Sequence, residues 1–365
     1  MTAQRWILLA LLLLPACGAS RRAERAPELP PSDPQAISKM AQGVEAAKTT
    51  NGRARAIALL QEAVKVDGKL WEARYDLGVL HAEAGQLSAA ERELSAALSL
   101  APNAEDVAVA LAEVRRRQGD AAGAVLALDP FVKAHPKALV AGLALIAALR
   151  ESGAVDRAIA QAHGVLIQHS RNPDALSELA LSHLSKGEAD TAELLIGEAI
   201  KADPKSARAE RTAGLIALEK GDDSEAFRHF SKASELDPND ITARLNIGTV
   251  LLQAGVYERA KQQFENVTEA APDDVAALLG LAAARRGLAK RDDLTAFVEV
   301  ERLLKRALEK EPNNLAAGFN LAVLYADYLK RPLDARPLFE RFLAEAPKGH
   351  PGRAEAERFL SAQKR

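Results

Sequence analysis

The chain has 365 residues, of which 48% are hydrophobic and only 4% aromatic, and its formal net charge is −2. A single hydrophobic core stops growing near ~250–300 residues, so this length indicates either several domains or an array of units that contact only their neighbours. The apolar residues are mostly Ala and Leu, which are strong helix formers, and this composition predicts an all-α protein. Charges of both signs are interspersed, which excludes the long basic stripe of a nucleic-acid-binding protein.

Residues with catalytic or metal-binding chemistry show no organised pattern. The seven histidines are scattered without the paired spacing of a metal site, and the sequence has neither a glycine-rich phosphate loop nor a nucleophile elbow. We therefore expect no enzymatic activity, no cofactor and no metal.

Residues 1–16 have the pattern of a secretory signal peptide. An arginine precedes an apolar run over residues 6–14, which is too short for a permanent transmembrane helix of roughly 20 residues. The stretch Leu14-Pro15-Ala16-Cys17 resembles the bacterial lipobox, with Pro15 in place of the usual small residue. This resemblance implies cleavage before Cys17 and a lipid attached to that cysteine.

Cys17 is the only cysteine, so the chain can form no internal disulfide. Glycine follows it, and resemblance to lipoprotein sorting patterns then implies export and anchoring to the bacterial outer membrane, facing the periplasm. The alternative is an ordinary signal peptide with an accidental cysteine. Residues 17–36 are polar and proline-rich, and they predict an extended tether of up to ~3 Å per residue.

Three residue types recur along the chain with one common period, the spacing from Ala56 to Ala90. The alanines are Ala56, Ala90, Ala124, Ala158, Ala192, Ala226 and Ala260. The glycines are Gly85, Gly119, Gly153, Gly187, Gly221 and Gly255. The prolines are Pro102, Pro136, Pro204, Pro238 and Pro272, with Ser170 in the one missing position. A shared period in three independent residue types indicates an array of similar units.

The segment 207–240 resembles a tetratricopeptide repeat (TPR), whose helix–turn–helix unit has the same length as this period. Its matching features are the small pair Ala213-Gly214, the turn Gly221-Asp222, the pattern Ala226-x3-Phe230 and the closing Pro238. The resemblance implies a right-handed superhelical solenoid that binds proteins or peptides.

The period predicts nine units over residues 37–349 and a capping helix over residues 350–365. The predicted units are 37–70, 71–104, 105–138, 139–172, 173–206, 207–240, 241–274, 275–314 and 315–349. The eighth unit has extra residues around positions 287–295. In the third unit Asp129-Pro130 resembles a helix N-cap followed by proline, which predicts a break or kink there.

The glycines have two predicted roles. Gly78, Gly214 and Gly248 lie where the two helices of a unit cross, so a side chain there would push the backbones apart. The glycines of the turns can adopt positive φ at a helix end.

In TPR arrays the first helices line the concave face, and the resemblance therefore places a peptide-binding groove on their residues that packing does not use. The predicted groove residues are Tyr75, Leu143, Leu181, Leu184, Arg211, Leu215, Leu218, Leu245, Asn246, Leu252, Leu279, Phe319 and Asn320. Seven of the leucines, from Leu181 to Leu279, would form an apolar ribbon that seats an amphipathic helix or an extended apolar peptide. The alternative is that superhelical curvature buries these leucines against neighbouring units.

Asn246 and Asn320 match an asparagine with which some TPR proteins hold a ligand backbone. Only two of nine units have it, so we expect these asparagines to be solvated. The residues of a carboxylate-clamp co-chaperone are not present as a set.

The sequence thus predicts a membrane-anchored scaffold that supports assembly of an envelope multi-protein machine, with other proteins or peptides as its partners. One alternative is a soluble periplasmic adaptor or co-chaperone that binds apolar peptides. Another is a structural protein that assembles end to end, which the charged helix near the C-terminus disfavours.

Overall fold

The computed structural model describes residues 32–363, which form nineteen α-helices and no strand. Consecutive helices pack in pairs, and each pair packs on the next. The predicted all-α solenoid of repeated helix pairs is confirmed. No helix within the described residues is long and apolar enough to cross a membrane. The predicted signal peptide, Cys17 and most of the predicted tether lie outside these residues.

Each pair consists of a first and a second helix, and a last helix follows the ninth pair. The first helices are α1 (Pro34–Ala47), α3 (Trp71–Glu83), α5 (Glu105–Arg117), α7 (Leu139–Glu151), α9 (Pro173–Ser185), α11 (Ala207–Glu219), α13 (Ile241–Gln253), α15 (Val275–Leu288) and α17 (Leu315–Val323). The second helices are α2 (Arg53–Val66), α4 (Leu87–Leu100), α6 (Ala121–Ala134), α8 (Val155–Gln168), α10 (Ala189–Ala202), α12 (Asp223–Leu236), α14 (Tyr257–Ala270), α16 (Leu294–Lys310) and α18 (Pro332–Glu345). The last helix is α19 (Arg353–Ala362).

Several of the recurring residues act at the ends of the helices, where they stop one helix or start the next. The six turn glycines have φ between 72° and 82°, which confirms their predicted role, because other residues rarely adopt this conformation. Aspartates cap several helices that follow: the side chain of Asp222 accepts from the backbone N–H of Glu225 at 3.0 Å, and that of Asp240 from Ala243 at 3.0 Å.

The crossing glycines are confirmed as points of close approach within a unit. A Cβ atom on Gly214 would lie 2.5 Å from the Phe230 ring, and one on Gly248 would lie 2.8 Å from the Phe264 ring. The ring of Phe264 also faces Gly280 of the next unit. A phenylalanine on the second helix therefore fills the space between two first helices that carry no side chain at that point.

Helix α1 begins before the predicted end of the tether. Asp33 accepts from the backbone N–H of Gln35 at 2.7 Å, and Pro34 occupies the first helical turn, where its missing N–H costs nothing. Ala36 is fully buried against the rest of the pair. The predicted tether of residues 17–36 therefore overlaps the start of α1.

The predicted break at Pro130 is wrong, because α6 runs through it without interruption. Pro130 is exposed, and the carbonyl group that loses its partner belongs to Leu126, which is 73% exposed. Water can therefore replace the missing hydrogen bond. Asp129 does not cap a new helix; its carboxylate pairs with Lys133 at 2.5 Å and Arg157 at 3.3 Å.

The last units depart from the regular pattern. The extra residues of the eighth unit lengthen α16 to 17 residues and extend the loop before it. Helix α17 continues into a π-helical turn over Leu324–Tyr328. Helix α19 packs on α18, where the rings of Phe359 and Phe339 lie 4.9 Å apart. It covers apolar surface that a further unit would otherwise cover.

Candidate functional site

The first helices define the inner side of the array. First helices of neighbouring units contact each other in the pairs α3–α5, α5–α7, α7–α9, α9–α11 and α13–α15, whereas neighbouring second helices barely touch. Open cavities of about 340 and 320 Å³ separate α6 from α8 and α10 from α12. Elements that approach each other on one side and diverge on the other form a curved surface, so the first helices line the concave face.

All thirteen predicted groove residues lie on first helices, and each is partly buried. Leu215, Leu218, Leu245, Leu252 and Leu279 pack against the core of units six to nine, yet each keeps an accessible part. These leucines therefore contribute to the core without being fully buried, and the binding seat stays a prediction.

Phe319 is oriented differently from the groove prediction. Its ring lies 4.7 Å from that of Phe342 and 5.9 Å from that of Phe339, both on α18. It thus packs between the two helices of the last unit. It also lines a cavity of about 260 Å³ between α16 and α18, next to Leu308 and Leu338. The ring of Phe319 therefore packs against α18 and does not point into the predicted groove.

Asn246 is less solvated than the sequence indicates. Its Nδ2 atom is buried and has no hydrogen-bond partner within the described residues. A buried amide donor without an acceptor is unfavourable unless a ligand or a water supplies one. Asn320 borders a very small cavity with Leu279 and Arg286.

Arg211 is already occupied by an intramolecular partner. Its guanidinium donates to the carboxylate of Asp240, whose side chain is only 7% exposed and caps α13. Arg211 therefore joins α11 to α13, two first helices that otherwise make little contact.

This ion pair is the end of a series that crosses five successive first helices, and we call the series the ion-pair ladder. Its members are Arg116, Glu151, Arg150, Glu178, Arg208, Asp174, Arg211 and Asp240. Arg116 of α5 forms a bidentate pair with Glu151 of α7, with distances of 2.7 and 2.5 Å. That pair raises the pKa of Arg116. A bidentate arginine–carboxylate pair is geometrically specific, and the ladder links successive first helices from α5 to α13.

Glu178 is the central carboxylate of the ladder. Its side chain is 6% exposed, and it lies between Arg208 of α11, at 3.1 Å, and Arg150 of α7, at 3.7 Å. Burial raises the pKa of Glu178, and the two arginines oppose that effect only in part.

The concave surface at α3 and α5 is acidic. Burial raises the pKa of Tyr75, and the nearby carboxylates of Asp106 and Asp76 raise it further. Burial also raises the pKa of Asp76, with a contribution from Glu72. Carboxylates therefore surround the one predicted groove tyrosine, and a ligand would meet negative charge at this end.

The first helices thus carry three features that overlap along the array: acidic residues at α3 and α5, the ion-pair ladder from α5 to α13, and the leucine ribbon from α9 to α15. Such a surface can bind an elongated partner through many contacts, whereas it offers no convergent acid, base and nucleophile among the residues described. Sequence reasoning missed the ladder as a set. Opposite charges on first helices of neighbouring units, separated by close to one repeat period, are the signal that could have found it.

Comparison with known proteins identifies the repeat. Two family models, both of the tetratricopeptide repeat, match this chain, one over residues 53–108 and 217–284 and the other over residues 177–241. The chain therefore contains tetratricopeptide repeats. Proteins built from this repeat bind other proteins or peptides. No curated protein sequence is similar to the chain at a significant level.

Solved structures of repeat proteins are similar to this chain. The Cut9–Hcn1 hetero-tetramer of the APC/C has 16% identity and a TM-score of 0.57, over 89% of this chain and 76% of that one. A tetratricopeptide repeat protein from Parabacteroides merdae has 18% identity and a TM-score of 0.47, over 70% of this chain and 98% of its own. A TPR protein from Thermus thermophilus has 21% identity and a TM-score of 0.44, over 50% and 99%. At such identities the likeness shows the fold alone.

Proposed function

We propose that the protein is a non-catalytic scaffold that binds extended or helical segments of other proteins on its concave face. The observation that carries this proposal is the half-buried leucine ribbon on successive first helices. These leucines follow one another along α9, α11, α13 and α15, and each keeps an accessible part. Partly accessible leucines on a concave face form an apolar surface, and such a surface can bind an apolar segment of a partner protein.

We further propose that the scaffold is exported and held at the bacterial outer membrane by a lipid on Cys17, facing the periplasm. The lipobox-like stretch before Cys17 and the proline-rich residues behind it support this placement. A lipid and a tether would present the groove near other envelope proteins, in the assembly of an envelope multi-protein machine. The alternative is a soluble periplasmic adaptor or co-chaperone with the same groove.

A labelling experiment separates the anchored form from the soluble one. The full-length gene is expressed in a bacterium supplied with an alkyne fatty acid, and the wild type is compared with Cys17→Ser. We expect the wild type to take up the label and to fractionate with membranes, whereas Cys17→Ser takes up none. A wild-type protein that is unlabelled and soluble would rule out the anchor and support the adaptor. Pull-down of the intact protein with partners cross-linked in place then identifies the machine.

A further inference from the structure

Helix α1 exposes apolar side chains along one of its faces. Ile37 and Val44 are 44% and 38% exposed, and Met40, which lies between them, is only partly buried. Side chains three and four positions apart share one face of a helix, so these three form a continuous stripe about 10 Å long, which we call the α1 stripe. Apolar side chains that lie together at a surface, and not singly, indicate a contact with another molecule.

The register of the repeat places the α1 stripe on the concave face. Gly43 of α1 lies against a buried leucine of α2, and Gly78 of α3 lies against the equivalent leucine of α4. Counted from these two glycines, Met40 occupies the position of Tyr75. Tyr75 belongs to the concave surface at α3 and α5, so the α1 stripe continues that surface onto the first unit.

The α1 stripe differs from the surface on which a preceding unit would pack. Ala73 and Leu77 of α3 are buried in the core that α3 shares with the first unit. The equivalent residues of α1 are Ser38 and Gln42, and both are exposed. The side of α1 that corresponds to inter-unit packing is therefore polar, whereas the apolar stripe lies on the side that faces the groove.

Carboxylates without a counter-charge lie next to the α1 stripe. Asp106 and Asp76 lie near the ring of Tyr75, where burial and these two charges raise the pKa of Tyr75. Burial and Glu72 raise the pKa of Asp76, and no cation among the described residues offsets them. Each carboxylate of the ion-pair ladder, in contrast, pairs with an arginine. A half-buried carboxylate beside other carboxylates favours a ligand that brings positive charge.

We propose that the α1 stripe and these carboxylates together bind a cationic amphipathic helix of a partner protein. The apolar side of that helix packs on the α1 stripe, and lysines or arginines beside it pair with Glu72, Asp76 and Asp106. A helix fits because its own apolar residues recur with the spacing of the stripe. The carboxylates would repel an anionic lipid surface, so the occupant is a protein segment. This inference rests on the proposed function, and it specifies the partner at the first three units as helical and positively charged.

The test uses a defined set of probes. Peptides of about 18 residues, long enough to form a helix, are displayed on phage and selected on the full-length protein. One face of each peptide varies among Leu, Ile, Met and Phe, and the flanking positions vary among Lys, Arg, Glu and Gln. We expect Lys and Arg to be enriched at the flanking positions and Glu to be depleted. The tightest binder is synthesised, and its dissociation constant is measured by fluorescence anisotropy.

Two double variants locate the binding surface. The charge variant combines Glu72→Gln with Asp76→Asn, and the stripe variant combines Ile37→Ser with Val44→Ser. Each should weaken binding of the selected peptide by about tenfold or more, because two ion pairs or two apolar contacts are lost. The charge variant should also lose most of the salt dependence of binding.

Each double variant has a matched control on the second helices. Asp190→Asn with Glu193→Gln removes two exposed charges of α10, and Leu126→Ser with Leu194→Ser removes two leucines that are 73% and 75% exposed. Neither control should change binding. Circular dichroism verifies folding, and Val44→Thr, which keeps the shape of the side chain, replaces the stripe variant if that variant does not fold.

The results separate this inference from the proposed function. A binder that Leu218→Glu abolishes, but that the charge and stripe variants leave unchanged, would overturn this inference and leave the leucine ribbon as the binding site. Equal recovery of Lys and Glu at the flanking positions would also overturn it, and a library without any binder would overturn both. Tighter binding to a variant with Arg21→Ala, Arg22→Ala and Arg25→Ala would show that the chain's own N-terminal segment occupies the surface, and would overturn the assignment to a partner.

Discussion

At the scale of single residues, two glycines inside helices differ in importance: the packing around one of them leaves no room for a side chain, whereas the packing around the other does. Gly214 and Gly197 both lie inside helices, but their surroundings differ. A Cβ on Gly214 would approach the Phe230 ring to 2.5 Å, whereas a Cβ on Gly197 would have no atom within 4 Å. The close crossing of α11 and α12 therefore depends on the absence of one methyl group.

We expect opposite effects from the same substitution at these two sites. Gly214→Ala should lower the free energy of unfolding by about 1–3 kcal/mol through overpacking. Gly197→Ala should leave it unchanged or raise it by about 0.5–1 kcal/mol, because alanine is the better helix former. Urea denaturation measures both values. Equal effects at the two positions would show that the crossing tolerates a side chain.

Glu178 gives the molecule a specific dependence on pH. Burial raises the pKa of Glu178 in the folded state, so the folded protein binds a proton at a pH at which the unfolded chain does not. This stabilising contribution is therefore full below the ordinary carboxyl range and is lost as the pH rises through the raised pKa.

The variant Glu178→Gln cannot take up that proton. We expect the stability of the wild type relative to Glu178→Gln to increase as the pH falls from neutral toward the ordinary carboxyl range. Denaturant unfolding at several pH values, with the difference between the two proteins taken at each pH, isolates this group from the other carboxylates. A difference that does not change with pH would contradict the raised pKa.

At the scale of elements, leucines of the first helices are only partly buried. Leu218 of α11 and Leu252 of α13 pack against the core and remain partly accessible. Leu194 of α10 is 75% exposed on a second helix, away from the concave face. Substitutions at these three leucines allow the effect on stability to be separated from the effect on peptide binding.

We expect Leu218→Glu and Leu252→Glu each to lower the free energy of unfolding by about 1 kcal/mol and to abolish binding of an apolar peptide, which would face an unpaired charge. The control Leu194→Glu should change neither quantity. Thermal unfolding by circular dichroism and peptide titration provide the two measurements. Loss of the fold in both groove variants would show that these leucines serve as core alone.

The repeat period was sufficient to predict helix pairs, turns and crossing glycines, because each depends on a few residues at fixed spacing. The ion-pair ladder depends on how far the long arginine side chains reach from one unit to the next. The spacing of residues within one unit does not specify this reach. Phe319 has the spacing of a groove residue, but its ring packs against the aromatic rings of α18. Pro130 has a helix-start pattern, yet its position on the solvent side of α6 lets the helix continue.

At the scale of the whole molecule, the last helix covers apolar surface of the ninth unit. Helix α19 places Phe359 against Phe339, and its Ala356 is completely buried. Without this helix, α18 would present an apolar face of the kind that the next unit of an array normally covers.

Removal of residues 353–365 should therefore lower the melting temperature and cause self-association that increases with protein concentration. Light scattering at several concentrations detects the association. The single variant Phe359→Ala keeps the helix and should show a smaller loss of stability with no association. A truncated protein that stays monomeric at every concentration would show that α19 is not a cap.

The weak contact between second helices has a mechanical consequence. Cavities of about 340 and 320 Å³ separate second helices at α6/α8 and α10/α12, whereas each second helix packs on the first helix of the next unit. A pull on the two ends would widen these cavities first, because the second helices that line them make few contacts with each other. The packing of each second helix on the next first helix would supply the restoring force. We expect the chain to behave as a soft spring whose ends can separate by several ångströms while every helix pair remains folded.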